Sequence, residues 1–305
     1  MGGDAVVVLL RLPCGDRRRL RLLALLTLLF ASGCTGFFFH PTREHVLKPG
    51  DVGLAWRDVW FRSTDGVRLH GWFLPADGQA KGTIVFLHGN AQNISTHLGS
   101  VAWLPAEGFN VFLFDYRGYG SSEGVPNLDG LHRDSEAATR EALRLDGVDP
   151  DRVIVFGQSL GGTLAIDALA RLPEKTRIRA LIVEGAFAGY RRIARDVLSR
   201  AWPTWPLQGP LSLAVDNSYD PLEAIARLTP VPVLIIQDEA DFIVAPAHAQ
   251  DLYIAAGEPK ALWAVPDAPH IGALRAPAMR QRFVHYLEMC ALAPREDFPE
   301  ACRSH

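Results

Sequence analysis

A serine between two glycines, in residues 153–162, has the sequence context of an activated nucleophile. The spacing Gly157-x-Ser159-x-Gly161 follows a β-branched and aromatic run, and a helical pattern begins directly after it. In a nucleophile elbow, small neighbours let a tight strand-to-helix turn hold a serine hydroxyl clear of the sheet, at a helix N-terminus that favours negative charge. The alternative is a glycine-rich turn with an incidental serine. The pattern favours acyl transfer through Ser159.

The elements around this turn alternate between short apolar strands and helical patterns. Residues 59–61 and 69–74 predict two antiparallel strands, because the Asp65-Gly66 pair between them is a hairpin signal. Residues 83–87 predict a third strand that is apolar on both faces, as the middle strands of parallel sheets are. Five more strands are predicted at residues 111–114, 153–156, 180–183, 231–236 and 261–265, with helices over residues 131–145 and about 273–291. The order predicts an α/β fold over residues 56–292, with a mostly parallel eight-stranded sheet and helices on both faces.

The alternation fails over residues 189–218, which predict a small insertion between the sixth and seventh strands. Residues 191–200 can be helical, but the prolines within residues 201–210 cannot continue a helix, since proline lacks the N–H donor. With this strand order, the insertion lies at the same edge of the sheet as Ser159 and can cover it as a cap. Trp202, Trp205, Leu207 and Leu211 then either line an acyl pocket or pack on the domain.

Residues 1–34 have the charge and hydropathy pattern of an export signal. Four arginines within residues 17–21 precede an apolar run over residues 22–30, as in signal peptides. Residues 31–34, Ala-Ser-Gly-Cys, resemble the bacterial lipobox, in which the signal is cut before a cysteine that is then acylated. Residues 22–39 also form an uncharged stretch of 18 residues, just long enough to span a bilayer uncleaved; a simple cleaved signal is the third possibility. All three export the chain. We interpret it as a lipoprotein anchored through Cys34, facing the periplasm or the cell exterior, with a tether over residues 35–55.

Composition and charge exclude several other classes of protein. The net charge of -3 leaves no basic face for nucleic acid. No Cys or His cluster has metal-ligand spacing, and no glycine-rich loop follows the first strand, so neither a metal nor another cofactor is predicted.

We expect the protein to be a monomer, and residues 293–305 to form a C-terminal tail after the domain. Cys290 and Cys302 form either a disulfide or two thiols, of which Cys290 is buried on the last helix.

The elbow, the His88-Gly89-Asn90 turn after the third strand and the alternating order together resemble the α/β-hydrolase superfamily. The resemblance covers about residues 56–292. Within the superfamily, the chain most resembles membrane-tethered serine hydrolases of the α/β-hydrolase-domain-containing type, which include protein depalmitoylases and serine aminopeptidase-like relatives. It implies a catalytic triad in the chain order serine, acid, histidine. The turn from Asp115 to Ser122 resembles the family's scaffold turn after the fourth strand, where Asp115 binds nearby amides.

The same resemblance implies the other two members of the triad. Asp241 begins an Asp-x-x-Val-x-Pro turn after the seventh strand, and Asp238 is the second choice. His270 follows the eighth strand and is the expected general base, although Ala268-Pro269 stands where relatives usually have a glycine-rich turn. The remaining candidates are interpreted as structural or solvent-facing: His88, and His132 and His248 at the starts of surface helices.

A serine, histidine and aspartate in this arrangement cleave acyl compounds. The histidine takes the serine proton as the hydroxyl attacks the carbonyl, and backbone N–H groups stabilise the oxyanion that forms. The expected donors belong to Leu160 and Asn90, with Ala91 as the alternative to Asn90. The sequence therefore predicts a serine hydrolase acting on an ester or thioester of a small-molecule or lipid-like acyl substrate. The alternatives are an aminopeptidase or prolyl-peptidase-like enzyme, and a non-catalytic envelope lipoprotein that retains the fold.

Overall fold

Eight strands form the central sheet in the computed structural model, which describes residues 39–200, 202–293 and 299–303. In chain order the strands are β1 (Arg57–Arg62), β2 (Arg68–Leu74), β3 (Gly82–Leu87), β4 (Phe109–Asp115), β5 (Val153–Gln158), β6 (Ile178–Glu184), β7 (Val233–Asp238) and β8 (Lys260–Val265). They lie in the order β8-β7-β6-β5-β3-β4-β2-β1. The pairs β1/β2 and β2/β4 are antiparallel, and the other five pairs are parallel. The predicted α/β fold with a mostly parallel sheet is confirmed.

Eight α-helices connect or flank these strands in the described part of the chain. They are α1 (Ile94–His97), α2 (Leu128–Ala142), α3 (Leu160–Arg171), α4 (Tyr190–Ser199), α5 (Gln208–Ser212), α6 (Pro221–Ala226), α7 (Ala247–Ala255) and α8 (Pro277–Tyr286). Shorter helical turns lie at Pro49–Val52, Leu98–Ser100, Pro105–Glu107, Lys175–Arg177, Trp205–Leu207, Ala273–Arg275 and Glu300–Arg303, and a π-helical turn at Leu287–Ala291 extends α8. The helices α4 and α5 belong to the predicted cap.

Most predicted boundaries shift by a few residues, as for the helix predicted over residues 131–145 and found at Leu128–Ala142. Two differences have a clear physical cause. The strand β7 begins at Val233 and not at residue 231, because the Val231 N–H is bonded to Leu228 O in the preceding turn and Pro232 has no donor. The last helix is interrupted: Ala276 is extended, with ψ at 129°, before α8 begins at Pro277. A residue before proline is pushed out of the helical region, so the sequence pattern spans two separate helical segments.

Adjacent residues of the inner strands contribute to two different cores. In β5, Val155 packs in one core with α2 and α3, whereas Phe156 packs in the other with Phe283 of α8. Side chains alternate across a strand, and both faces of this sheet are covered, so both sets of side chains must be apolar. This is why β3 and β5 are continuous apolar runs in the sequence. The result is a sheet covered on both faces, whose carboxyl edge carries the candidate site.

The first described residues lie against the domain. His40–Pro41 pairs in parallel with Ala91–Gln92, in the loop after β3. The buried Asn93 side chain donates to Thr42 O at 3.1 Å and to Glu44 O at 2.7 Å, which holds this segment in place. Phe39 is buried in one of the two cores. The described part of the predicted tether is therefore bonded to the loop after β3.

Two further predictions concern the ends of the chain. Cys290 and Cys302 form a disulfide, with 5.8 Å between their Cα atoms, which decides between the two interpretations left open by the sequence. Within the described residues, no helix combines the length and the apolar character needed to cross a bilayer. The predicted signal or anchor, including Cys34, lies outside the described residues.

Candidate active site

Ser159 occupies a sharp turn between β5 and α3. Its backbone has φ 54° and ψ -123°, a conformation that is strained for a residue with a side chain. The two flanking glycines are required by close approach of backbone: a Cβ at Gly157 would lie 2.5 Å from Gly161 O, and one at Gly161 would lie 2.1 Å from Leu87 O. The predicted elbow is therefore present, because these close contacts leave no room for side chains at the two glycines. Ser159 lies in it directly before α3.

Ser159, His270 and Asp241 form a continuous chain of hydrogen bonds. The Nε2 atom of His270 lies 3.0 Å from Ser159 Oγ, and its Nδ1 atom lies 2.6 Å from Asp241 Oδ2. The other oxygen of the Asp241 carboxylate accepts the N–H groups of Ile243 at 2.7 Å and Val244 at 2.9 Å. In this geometry the imidazole donates from Nδ1 and accepts the serine proton at Nε2, as general-base activation requires.

The three side chains come from loops at the carboxyl ends of β5, β7 and β8. Parallel strands place these ends at one edge of the sheet, which is why residues far apart in the chain meet there. The Asp241 carboxylate is buried, and the imidazole of His270 is slightly exposed beside it. A substrate carbonyl can therefore approach Ser159 while the carboxylate stays out of water.

The second candidate acid, Asp238, holds the loop that carries His270. Its two carboxylate oxygens accept the N–H groups of Ile271 at 2.9 Å and Ala273 at 3.1 Å. Glu184, at the end of β6, accepts the same Ala273 N–H at 2.9 Å. Sequence reasoning missed Glu184. The available signal was its position: an acidic residue at the end of a buried apolar strand, next to the strand that leads to the elbow.

These two carboxyls are buried and accept the same backbone N–H group, and the pKa of each is raised. Burial raises the pKa of the Glu184 carboxyl, whose Oε2 also accepts the Gln158 Nε2–H at 2.7 Å. Burial, followed by the charge of Glu184, raises the pKa of Asp238 to about 8. Near neutral pH the pair therefore retains a proton, because two adjacent buried carboxylates cannot both ionise cheaply.

The turn after β3 lies against the nucleophile. A Cβ at Gly89 would sit 3.6 Å from Ser159 Cβ, so this turn borders the space above the hydroxyl. The Tyr119 hydroxyl donates to Asn90 O at 2.8 Å, which orders the turn. Leu160 is the first residue of α3, where backbone N–H groups have no partner within the helix. Both predicted oxyanion donors thus belong to segments that flank Ser159.

The other histidines that the sequence brought forward are buried structural residues. His88 donates from Nδ1 to Gly89 O at 2.7 Å, and burial lowers its pKa well below the ordinary value. For His132 and His248, burial decides between the two predicted alternatives: the side chains are structural and do not face solvent. His132 stacks on Tyr219 at 3.5 Å between ring centroids, and His248 lies 2.9 Å from Asp196, because α2 and α7 pack their histidine-bearing faces inward.

One group of side chains in the described residues is compact enough to hold a cation. His45, His70 and Asp115 offer ligand atoms within 4.8 Å of one another, although they are far apart in the sequence. Their atoms make hydrogen bonds: His45 Nε2 to Asp115 Oδ2 at 2.8 Å, and His70 Nε2 to Asp58 Oδ1 at 2.6 Å. Asp115 also accepts the Ile94 N–H at 2.9 Å, which confirms its expected role as a binder of amides. The group ties the first described residues to the turn after β4.

A cavity of about 280 Å³ adjoins the residues next to the triad. Its lining includes Gln158, which precedes the nucleophile, Ile271, which follows the base, and Gln92 in the loop after β3. Arg275 and Arg280 also line it, together with other polar side chains. The cap aromatics Trp202 and Trp205 are not among the lining residues, and both are exposed.

The sheet order, the strained serine and the chain order serine, acid, histidine define an α/β-hydrolase. The chain belongs to the α/β-hydrolase superfamily, and its relatives support this independently. The uncharacterized protein YfhR of Escherichia coli strain K12 is 37% identical over 265 residues, covering 85% of this chain and 88% of the relative. The α/β hydrolase domain-containing protein WAV2 of Arabidopsis thaliana is 33% identical, covering 70% of this chain and 71% of its own.

A family model and a solved structure add to these relatives. The model described as serine aminopeptidase, S33, matches residues 78–221. The esterase Pf2001 of Pyrococcus furiosus has a similar fold, with a TM-score of 0.64 and 22% identity, covering 82% of this chain and 95% of that chain. At that identity the likeness concerns the fold alone.

Proposed function

We propose that this protein is a serine hydrolase that cleaves a carboxylic ester or thioester through an acyl-enzyme on Ser159. The observation that carries the proposal is the 3.0 Å contact between Ser159 Oγ and His270 Nε2, with Asp241 on the other ring nitrogen. A serine hydroxyl is a weak nucleophile at neutral pH unless a base takes its proton as it attacks. The fold and the relatives support hydrolase chemistry of this class.

In the first half-reaction, Ser159 Oγ forms a bond to the substrate carbonyl carbon while its proton moves to His270 Nε2. The carbonyl oxygen becomes an oxyanion, for which the N–H groups of Leu160 and Asn90 are the proposed donors; each such donor contributes about 100- to 1000-fold in turnover. The carbon–oxygen or carbon–sulfur bond then breaks, and the leaving group takes the proton from His270. Water repeats the sequence on the acyl-enzyme and releases the acid. No cofactor is needed for these steps.

The cavity beside the triad suits the polar half of such a substrate. Its wall holds the side chains of Arg275, Arg280 and Gln92, which present hydrogen-bond donors. In a lipid-like acyl compound, the part that leaves as the alcohol or thiol is more polar than the acyl chain. We therefore place the leaving group in this cavity, with the acyl chain directed elsewhere at the carboxyl edge of the sheet.

We also propose that the protein is a monomer anchored to a membrane through its N-terminus, by a lipidated Cys34, and faces the periplasm or the cell exterior. The support is the sequence of residues 17–34, in which arginines, an apolar run and a lipobox-like segment follow one another. Retention of residues 22–39 as an uncleaved helix is the alternative mode of attachment.

A serine aminopeptidase is the second candidate, because the matching family model carries that description. Such an enzyme needs an acidic group to hold a free α-ammonium near the triad. The cap helix α4 carries Arg191, Arg192 and Arg195 but one acid, Asp196, which is paired with His248. The positive cap opposes an ammonium group, so the ester or thioester is preferred.

Fluorophosphonate labelling of the full-length protein in detergent tests the proposed nucleophile. Wild type and Ser121→Ala, which changes an exposed serine, should both be labelled, whereas Ser159→Ala should not. Labelling that persists in Ser159→Ala contradicts the proposal, and no labelling of wild type supports the non-catalytic alternative. A chain-length series of p-nitrophenyl esters beside aminoacyl naphthylamides then separates esterase from aminopeptidase.

A further inference from the structure

An uncharged part of the cap presents large apolar side chains to solvent. Residues 201–215 contain no acidic or basic residue. Trp202 is 87% exposed, Trp205 59%, Leu207 52% and Leu213 63%; we name these four residues the cap apolar surface. Exposed apolar side chains grouped in one segment mark a site of interaction, because a soluble surface rarely carries them together.

This surface is connected to the turn that carries the triad acid. Arg200, just before the uncharged segment, donates from Nη1 to Ile243 O at 3.0 Å. Phe242, between Asp241 and Ile243, is 71% exposed. The cap apolar surface and the active-site turn therefore belong to one continuous region at the carboxyl edge of the sheet.

The chain leads from the proposed anchor to the same edge. The pairing of His40–Pro41 with Ala91–Gln92 places the first described residues beside the loop that follows β3. Cys34 precedes Phe39 by only five residues, which span at most about 17 Å when fully extended. A bilayer that holds Cys34 is thus within reach of the edge that carries Ser159.

The side chains around the surface match the chemistry of a bilayer surface. Tryptophan is enriched at membrane–water interfaces, because its ring is apolar and its N–H is polar. Arg191, Arg195 and Arg200, on or next to α4, are exposed and suit anionic headgroups. Apolar and aromatic residues flanked by arginines are the composition of segments that lie in the interface plane.

We propose that the cap apolar surface lies in the headgroup region of an anionic lipid bilayer, so that the carboxyl edge of the sheet faces the membrane. The acyl group then reaches Ser159 from the bilayer, which makes a membrane-embedded acyl lipid the substrate class. This inference rests on the proposed hydrolase function and anchor.

Tryptophan quenching in vesicles tests the inference with the full-length protein. The protein is reconstituted into vesicles of phosphatidylglycerol and a phosphatidylcholine with bromine atoms high on its acyl chains, and flotation measures attachment. Brominated lipid should quench emission of wild type and of Trp60→Phe, which changes a partly exposed indole on β1. Trp202→Phe/Trp205→Phe should lose that quenching while still floating with the vesicles. Phenylalanine preserves the fold at exposed positions, which near-ultraviolet circular dichroism verifies.

The outcomes separate the surface from the anchor. Flotation with equal quenching in all three proteins overturns the surface and leaves the anchor standing. If the wild type neither floats with the vesicles nor shows quenching, both the proposed surface and the proposed anchor are overturned. A dimer that depends on Trp202 and Trp205, seen by sedimentation in place of quenching, assigns the surface to a second copy of the chain and also overturns the inference. Cys34→Ser tests the anchor separately. If this variant no longer floats but its emission is still quenched at high vesicle concentration, the result supports the surface and identifies Cys34 as the anchor.

Discussion

At the scale of single residues, the site distinguishes two carboxylates that lie three positions apart. Asp241 accepts a hydrogen bond from Nδ1 of His270. Asp238 accepts hydrogen bonds from backbone N–H groups in the loop after β8, which carries His270. The two side chains have the same chemistry, and only the donors that face them differ. In the proposed mechanism, Asp241 therefore orients the base and stabilises its charged form, while Asp238 holds the loop that carries the base.

Replacing Asp241 by asparagine should lower kcat for an activated ester by about 10⁴-fold. The amide carries no charge to stabilise the imidazolium, and its NH2 group can donate to Nδ1 and so favour the wrong tautomer of His270. Asp267→Asn is the matched control: it makes the same substitution at an exposed position in the loop before His270. Steady-state kinetics checks both variants. Equal losses in the two, or a loss below tenfold in Asp241→Asn, would contradict the assigned role.

At the scale of elements, the loop after β8 depends on buried carboxyls from two other strands. Glu184 of β6 and Asp238 of β7 share the Ala273 N–H. Burial raises the pKa of both carboxyls, and the charge of Glu184 raises the pKa of Asp238 further. While one proton remains on the pair, the loop that places His270 is held by both carboxyls. When both groups ionise, they repel each other beneath that loop.

Activity of the wild type should therefore fall as pH rises through about 8, the pKa of Asp238. Glu184→Gln removes the neighbouring charge, lowers the pKa of Asp238 toward its ordinary range and should abolish this alkaline fall. Profiles of kcat/KM from neutral pH upward check the prediction. Glu239→Gln, an exposed change in the same turn as Asp241, should keep the wild-type fall. Identical alkaline limbs in wild type and Glu184→Gln would refute the link.

At the scale of the whole molecule, several histidines are buried or half-buried in the described part of the chain. Burial lowers the pKa of five histidines, with His88 affected most strongly. The five are His70, His88, His97, His132 and His248. In the unfolded chain each binds a proton near pH 6.5, whereas the folded protein resists that protonation. Their stabilising contribution is thus complete above pH 6.5 and is lost as pH falls.

The free energy of unfolding should accordingly decrease as pH falls from about 6.5 to 5, well before most carboxylates titrate. Glu184 and Asp238 act in the opposite direction, since their raised pKa values let the folded state hold a proton that the unfolded state releases, but the histidines outnumber them. Urea unfolding followed by circular dichroism measures the trend. His132→Phe, which removes one buried imidazole, should show a shallower slope, and a flat wild-type profile would contradict the interpretation.

Much of the fold was predictable because its signals are local. The inner strands are apolar on both faces, and prolines ended the helical pattern of the cap where α4 ends. The exposure of Trp202 was not predictable, since an apolar residue in an insertion can pack, line a pocket or face a partner. The burial of His132 was equally hidden, because it depends on which face α2 turns toward α3.

The amino-acid sequence by itself determined the elbow. Gly157 and Gly161 are needed by backbone contacts within one turn, and such contacts depend on neighbours along the chain. Tertiary structure alone decided which carboxylate meets His270, that Glu184 supports the base loop, and that residues 40 and 41 pair beside the predicted oxyanion donor Asn90. Those contacts join residues far apart in the chain, and their distances are set by the order of strands and the packing of two cores.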